Sequence, residues 1–95
     1  VREREGCHSN YCYPSILLKN RTEDERDAVL KALKEKNIHA RPAFPRMSRF
    51  PVFEQRFENP VCAEVEQKGI SLPSAANLTE EDVDLVCRTL LGSLT

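Results

Sequence analysis

Three prolines and three arginines within sixteen residues are the feature that most restricts how this chain can fold. Residues 38–53 hold three of the six prolines, three of the four phenylalanines and three arginines, with no acidic residue. Because proline lacks a backbone N–H and fixes φ, neither a long helix nor an interior strand can run through this stretch. We therefore predict a short strand from Ile38 to about Arg41, followed by a stiff segment that we call the basic-aromatic loop (residues 41–57).

Upstream of this loop, the sequence predicts one strand and one helix. Residues 11–18 are rich in aromatic and branched side chains, which is typical of a strand. Thr22 and Glu25 have the spacing of a capping box, so a helix should begin there. It should end near Asn37, because asparagine tolerates the left-handed conformation found after helices. With the strand that follows, this indicates a β-α-β unit over residues 11–41.

Downstream of the loop, two helices flank a third short strand, residues 70–73, whose side chains alternate in character. The second helix should begin at Asn59–Pro60. The third should begin at Thr79, which has a capping-box partner in Asp82. Helical spacing predicts the buried face of each helix: Val61, Cys62 and Val65 in the second, and Val83, Val86, Cys87 and Leu90 in the third.

The predicted order β-α-β-loop-α-β-α corresponds to an α+β domain, a small sheet of about three strands with helices packed on one face. The chain is long enough for one hydrophobic core, so we expect residues 1–95 to form a single domain. The opposite face of the sheet would be bare, and we expect it to rest on another domain, a second subunit or a ligand. Since the sequence starts at Val1 without a methionine, we expect a piece of a longer protein.

The composition argues against several classes of function. A net charge of −1 at pH 7 does not suit a general nucleic-acid or membrane-surface protein. No apolar run approaches the roughly 20 residues of a membrane span, so we expect no membrane contact. The four cysteines, without a secretion signal, indicate reduced thiols in a cytoplasmic protein, with Cys87 buried. They lack the CxxC pairs of structural zinc sites, so we expect no metal.

The basic-aromatic loop is the best candidate for ligand contact. The sequence has no Gly-x-Ser-x-Gly motif, no glycine-rich phosphate loop and only two histidines. Arginine binds phosphate or carboxylate with two hydrogen bonds, and phenylalanine offers a stacking surface. In the alternative interpretation, the phenylalanines fill the core and the arginines are solvated or paired with Glu54 and Glu58. The residues concerned are Arg41, Arg46, Arg49 and Arg56, interleaved with Phe44, Phe50, Phe53 and Phe57.

Three motifs also follow one another in an order typical of one enzyme family. They are Asn10-Tyr11 with Ile16-Leu17-Leu18, then Arg41-Pro42-Ala43-Phe44-Pro45 with Phe50-Pro51-Val52-Phe53, then Gly69-Ile70-Ser71-Leu72-Pro73-Ser74 with Leu78-Thr79-Glu80-Glu81-Asp82-Val83. Between about Cys7 and Leu91, the chain resembles the C-terminal small domain of the pyridoxal-phosphate-dependent nucleotide-sugar aminotransferases, the DegT/DnrJ/EryC1/StrS family.

This resemblance implies a fold-type-I aminotransferase, normally a homodimer, that transfers an amino group from glutamate to a keto-sugar nucleotide with pyridoxal phosphate as cofactor. The family's cofactor lysine lies in a large N-terminal domain, and no lysine of this chain lies in a matching segment. We therefore expect the chain alone to bind no cofactor and to be inactive. Its implied partners are the N-terminal catalytic domain of the same polypeptide, a second subunit and a sugar nucleotide.

The resemblance also implies the substrate-binding residues. Arg41 matches the arginine of the family's Arg-Pro segment, on the sugar-nucleotide side of the cleft. Asn10 and Tyr11 match the segment that enters the small domain near the active site, and Phe44 and Ser48 belong to the loop. Many family members have histidine at position 48 and a bulky aromatic at position 12, so the departures at Ser48 and Cys12 leave open both the identity of the sugar and activity itself.

Two other functions remain open. Arginines and phenylalanines on a small α+β sheet also resemble a stacking platform for single-stranded nucleic acid. The negative net charge and the position of the phenylalanines in a proline-rich loop make nucleic acid the weaker interpretation. The other alternative is a purely structural or dimerisation domain.

Overall fold

The computed structural model describes residues 2–95, so the first residue of the predicted domain lies outside the described part. Within it the elements follow the predicted order, and the α+β fold class is confirmed. They are β1 (Ser15–Leu17), α1 (Glu23–Glu35), β2 (Arg41–Pro42), a 3₁₀ turn (Met47–Arg49), α2 (Pro60–Lys68), β3 (Gly69–Ser71) and α3 (Glu80–Ser93). No helix of residues 2–95 has the length and apolar character needed to cross a membrane.

The last strand in sequence lies in the middle of the sheet. The strand order is β1-β3-β2, and β3 pairs antiparallel with both neighbours. The strands β1 and β2 therefore run in the same direction without touching, so the predicted β-α-β unit has a third strand inserted between its two strands. The ladder of β2 covers only Arg41–Pro42, later than the predicted start at Ile38, because the Ile38 backbone N–H donates to the Leu33 carbonyl oxygen at the end of α1.

The register of the three strands decides which side chains share a face. Ile70 of β3 lies opposite Ile16 on one side and Pro42 on the other. Residues directly opposite each other in an antiparallel pair project from the same face. Ile70 is fully buried and packs in a core with Val29 and Leu33 of α1, Leu90 of α3, and Leu18 and Ile38 from the segments after β1 and α1. We call the other side, which carries Ser15, Ser71 and Arg41, the open face of the sheet.

Both predicted capping boxes are present. The Thr22 hydroxyl accepts a hydrogen bond from the Glu25 backbone N–H, and the Glu25 carboxylate accepts one from Thr22. The same reciprocal pair joins Thr79 and Asp82 at the start of α3. After α1, Asn37 has a φ of 58°, the left-handed conformation expected there.

The predicted buried face of α2 is wrong. Val61 is 71% exposed, Val65 is 42% exposed, and Cys62 is also exposed. The buried residue of α2 is instead Glu66, whose charge is balanced by arginines from distant segments. The buried side of this nine-residue helix therefore carries Glu66 and not the predicted apolar residues.

The prediction for α3 is correct in part. Leu90 is buried and Val86 is half-buried, but Val83 is 49% exposed. Cys87 is exposed, against the prediction, because α3 packs on the core through Val86 and Leu90. The other three cysteines, Cys7, Cys12 and Cys62, are exposed and free as well.

Two glycines provide a matched test of this packing. A Cβ atom on Gly69 would lie 2.5 Å from the Val65 carbonyl oxygen and 2.7 Å from the Ala43 Cβ, whereas one on Gly92 would meet nothing within 4 Å. We expect Gly69→Ala to lower the free energy of unfolding by about 1–3 kcal/mol through overpacking. Gly92→Ala should raise it by up to about 1 kcal/mol through helix propensity. Urea unfolding followed by circular dichroism measures both, and changes of the same sign would contradict the close approach at Gly69.

The capping box of α3 predicts a pH-dependent stability. The Thr79 backbone N–H donates to Asp82 Oδ2 at 2.9 Å, and this bond holds the folded-state pKa of Asp82 below its ordinary value of 3.8. A lowered folded-state pKa stabilises the fold above the ordinary value, and the contribution is lost as pH falls through the folded-state pKa. We expect Asp82→Asn to lower Tm at neutral pH and to reduce the loss of Tm that the unchanged chain shows on acidification below pH 3.8.

Asp84→Asn is the control for this experiment, since Asp84 lies on the same helix outside the cap. Its acid-induced loss of Tm should equal that of the unchanged chain. The hydrogen bond from the Thr22 backbone lowers the pKa of Glu25 in α1, but this group titrates in every variant and cancels in the comparison. An undiminished acid loss in Asp82→Asn would contradict the prediction.

Candidate ligand-binding face

Arg41 projects from the open face of the sheet. It lies opposite Ser71 of β3, which lies opposite Ser15 of β1, so one cation and two hydroxyl side chains form a row across the three strands. The Ser15 hydroxyl donates to the Tyr13 carbonyl oxygen at 2.9 Å. The Arg41 side chain is exposed and makes no hydrogen bond or ion pair with another residue of the range 2–95. Its guanidinium is therefore available to an anion from outside the chain.

The other three arginines of the basic-aromatic loop have acidic partners. Arg46 Nε lies 3.5 Å from Glu66 Oε2, and Arg49 Nη1 lies 2.6 Å from Glu66 Oε1. Arg56 Nε lies 3.2 Å from a carboxylate oxygen of Glu54. The alternative in which the arginines pair with Glu54 and Glu58 is thus correct for Arg56 alone, because Arg46 and Arg49 pair with Glu66 instead.

Sequence reasoning missed Glu66. Its two arginine partners lie in a different element, so no periodic or short-range pattern connects them. The backbone of Glu66 is also held, because Nη1 of the buried Arg26 donates to the Glu66 carbonyl oxygen. The hydrogen bond from Arg49 to Glu66, together with their electrostatic attraction, raises the pKa of Arg49 above its usual value.

The phenylalanines of the loop do not fill the core. Phe44 and Phe57 are 74% and 76% exposed, and Phe50 and Phe53 are exposed as well. Phe44 meets the ring of Tyr13 edge-on, with centroids 5.8 Å apart and an interplanar angle of 82°. Because Tyr13 precedes β1, this contact joins the segment entering β1 to the loop leaving β2. Exposed aromatic faces next to β2 offer a stacking surface.

The remaining predicted site residues lie in two separate depressions. Asn10 and Tyr11 line one of about 590 Å³ formed within residues 2–15. The Asn10 side-chain oxygen accepts from the Cys12 backbone N–H at 3.1 Å, and the Tyr11 hydroxyl donates to Glu3 at 3.4 Å. Tyr11 has a φ of 50°, in the left-handed region.

Ser48 and Phe44 line the second depression, a groove of about 540 Å³ beside α2. The Asn59 side-chain amide lies 3.5 Å from the Ser48 hydroxyl, a long hydrogen bond. Arg41 borders neither depression. The structure therefore brings Phe44 together with Ser48, and Asn10 together with Tyr11, while Arg41 lies on the edge strand β2, outside both depressions.

The lysines do not form a site for covalent attachment of pyridoxal phosphate beside Arg41. Lys68 pairs with Glu64 at 3.1 Å, and Lys19 lies in the turn after β1. The other three, Lys31, Lys34 and Lys36, lie on α1 or at its end. In the described residues, the row that carries Arg41 contains serines and no lysine. Among the described residues, this row therefore offers no amine for covalent attachment of the cofactor.

The fold and this face define a small α+β domain that covers one side of its sheet with helices and presents a cation from the other. The sequence profile of the DegT/DnrJ/EryC1/StrS aminotransferase family matches residues 1–91. The chain belongs to this family, which is one of nucleotide-sugar aminotransferases that depend on pyridoxal phosphate.

Three relatives show how much of such an enzyme this chain represents. It is 29% identical over 90 residues to the GDP-perosamine synthase of Escherichia coli O157:H7, covering 94% of this chain and 24% of the relative. It is 28% identical over 92 residues to the GDP-perosamine synthase of Vibrio cholerae, covering 94% of this chain and 25% of the relative. It is 32% identical over 93 residues to the dTDP-4-amino-4,6-dideoxy-D-glucose transaminase of Escherichia coli, covering 92% of this chain and 25% of the relative. The chain spans about a quarter of the length of these relatives.

Proposed function

We propose that this chain is the C-terminal, substrate-binding domain of an aminotransferase that acts on keto-sugar nucleotides. The observation that carries the proposal is the exposed guanidinium of Arg41 on the open face of the sheet, which has no hydrogen-bond or ion-pair partner among residues 2–95. A diphosphate is the anionic part of a sugar nucleotide, and an arginine fork binds it with two charge-assisted hydrogen bonds. The names of the similar enzymes, which refer to GDP- and dTDP-linked sugars, support this class of ligand.

The remaining parts of the face would orient the ligand around this charge. The Ser71 hydroxyl lies in the same row as Arg41 and supplies a neutral hydrogen-bonding group, while the Ser15 hydroxyl in that row already donates to the Tyr13 carbonyl oxygen. The exposed rings of Tyr13 and Phe44 offer an apolar surface for a sugar or a base. Asn10, Tyr11 and Ser48 would complete the contacts from either side.

The catalytic groups would come from outside this chain. Pyridoxal phosphate supplies the electron sink for amino transfer when it is bound to an aminotransferase. Its lysine belongs, in this proposal, to an N-terminal catalytic domain of the same polypeptide. The open face would lie against that domain and form one wall of the substrate cleft. The whole protein would be a cytoplasmic homodimer. The chain alone is then expected to bind no cofactor and to show no transamination.

Replacement of Arg41 tests the proposal. Arg41→Gln should weaken the binding of GDP or dTDP by roughly tenfold to a hundredfold, as expected for loss of a hydrogen-bonded charge pair. The measurement is an NMR titration of the ¹⁵N-labelled chain with each nucleotide, which detects weak binding and should show shifts in β2 and β3. Nucleotide binding that is the same with and without the Arg41 guanidinium would contradict the proposal.

Arg56→Gln is the matched control. Arg56 belongs to the same loop and carries the same charge, but it is paired with Glu54. Its replacement should leave the nucleotide affinity unchanged. A loss equal to that of Arg41→Gln would mean that binding follows the overall charge of the loop and not the position of one guanidinium.

A further inference from the structure

One buried carboxylate holds two arginines of the basic-aromatic loop. The Glu66 side chain is 8% exposed, and its two oxygens face Arg46 and Arg49 separately. A buried charge is costly unless it is paired and hydrogen-bonded, so the helix cannot present Glu66 there without the arginines. The contact fixes the 3₁₀ turn, which contains Arg49, against α2.

The same contact changes what the loop offers to a ligand. Without Glu66, the loop would present Arg41, Arg46 and Arg49 as unpaired cations among exposed phenylalanines. Cations interleaved with exposed aromatic rings are the combination that binds single-stranded nucleic acid without sequence preference. With Glu66 in place, two of these guanidinium groups share an internal anion, and only Arg41 is left without one among the described residues.

We propose that Glu66 determines ligand specificity: it favours small ligands with one diphosphate group and weakens the binding of extended polyanions. This inference rests on the proposed function in so far as Arg41 binds the diphosphate. The weakened binding of polyanions rests only on the contacts of Glu66. Glu66 acts through Arg46 and Arg49 and touches no ligand itself.

The test compares Glu66→Gln with Glu64→Gln. Both changes remove one negative charge from α2, but the second releases Lys68 and leaves the loop arginines paired. The probe is a fluorescently labelled oligothymidylate, titrated at several salt concentrations and followed by anisotropy. We expect Glu66→Gln to bind it up to roughly fivefold tighter per released contact. The slope of log K against log salt should steepen by about 0.7 to 1.4, for one or two additional phosphate contacts.

The control should behave like the unchanged chain, with weak oligonucleotide binding and a shallow salt slope. Adding Arg46→Gln and Arg49→Gln to Glu66→Gln should return the affinity and the slope to the level of the unchanged chain. The proposal is overturned if Glu66→Gln and Glu64→Gln bind the oligonucleotide equally, or if the triple variant keeps the gain.

If circular dichroism shows that Glu66→Gln does not fold, a second variant tests the proposal. Arg49→Gln leaves the Glu66–Arg46 pair in place, and it should change neither oligonucleotide nor GDP binding. A loss of GDP binding equal to that of Arg41→Gln would show that Arg49 is available to ligands, and would overturn the proposal. If the unchanged chain binds no nucleotide, the proposed function fails, whereas the oligonucleotide comparison still tests Glu66.

Discussion

The antiparallel pairing of β3 with both neighbouring strands decides where the other parts of this molecule lie. The strand begins at Gly69, directly after the last residue of α2, with no loop between them. This is possible because Gly69 has no side chain where Val65 and Ala43 approach it. Ile70 then faces the helices, and Ser71 faces the other way beside Arg41. A shift of the register by one residue would turn Arg41 towards the helices.

The distribution of charge is the second consequence of this arrangement. A net charge of −1 suggests a surface with little preference for anions. The tertiary structure instead separates the arginines of the basic-aromatic loop into two kinds. Arg46, Arg49 and Arg56 have carboxylate partners, while Arg41 has none among the described residues. The affinity of the face for anions therefore depends on one position and not on the overall composition.

Local chemistry explains why so much of the fold was predictable. Helix starts are encoded within four residues, so Thr22 with Glu25 and Thr79 with Asp82 were recognised, and both capping boxes are present. Asn37 likewise ends α1 by a property of its own side chain. The motifs that led to the family are also local, and the family was confirmed over residues 1–91. Arg41 was singled out from such a motif, and its role in binding remains a prediction.

What the sequence by itself determined is the order of the elements, their ends and the family, because each depends on neighbouring residues. Only the tertiary structure decided the central place of β3, the exposure of Val61 and Cys87, and the pairing of Glu66 with Arg46 and Arg49. These features depend on contacts between segments far apart in sequence. Helical spacing predicts which residues share one face of a helix, but it does not predict which other segment covers that face. The free guanidinium of Arg41 belongs to this second group, since an arginine is free only when folding brings no carboxylate to it.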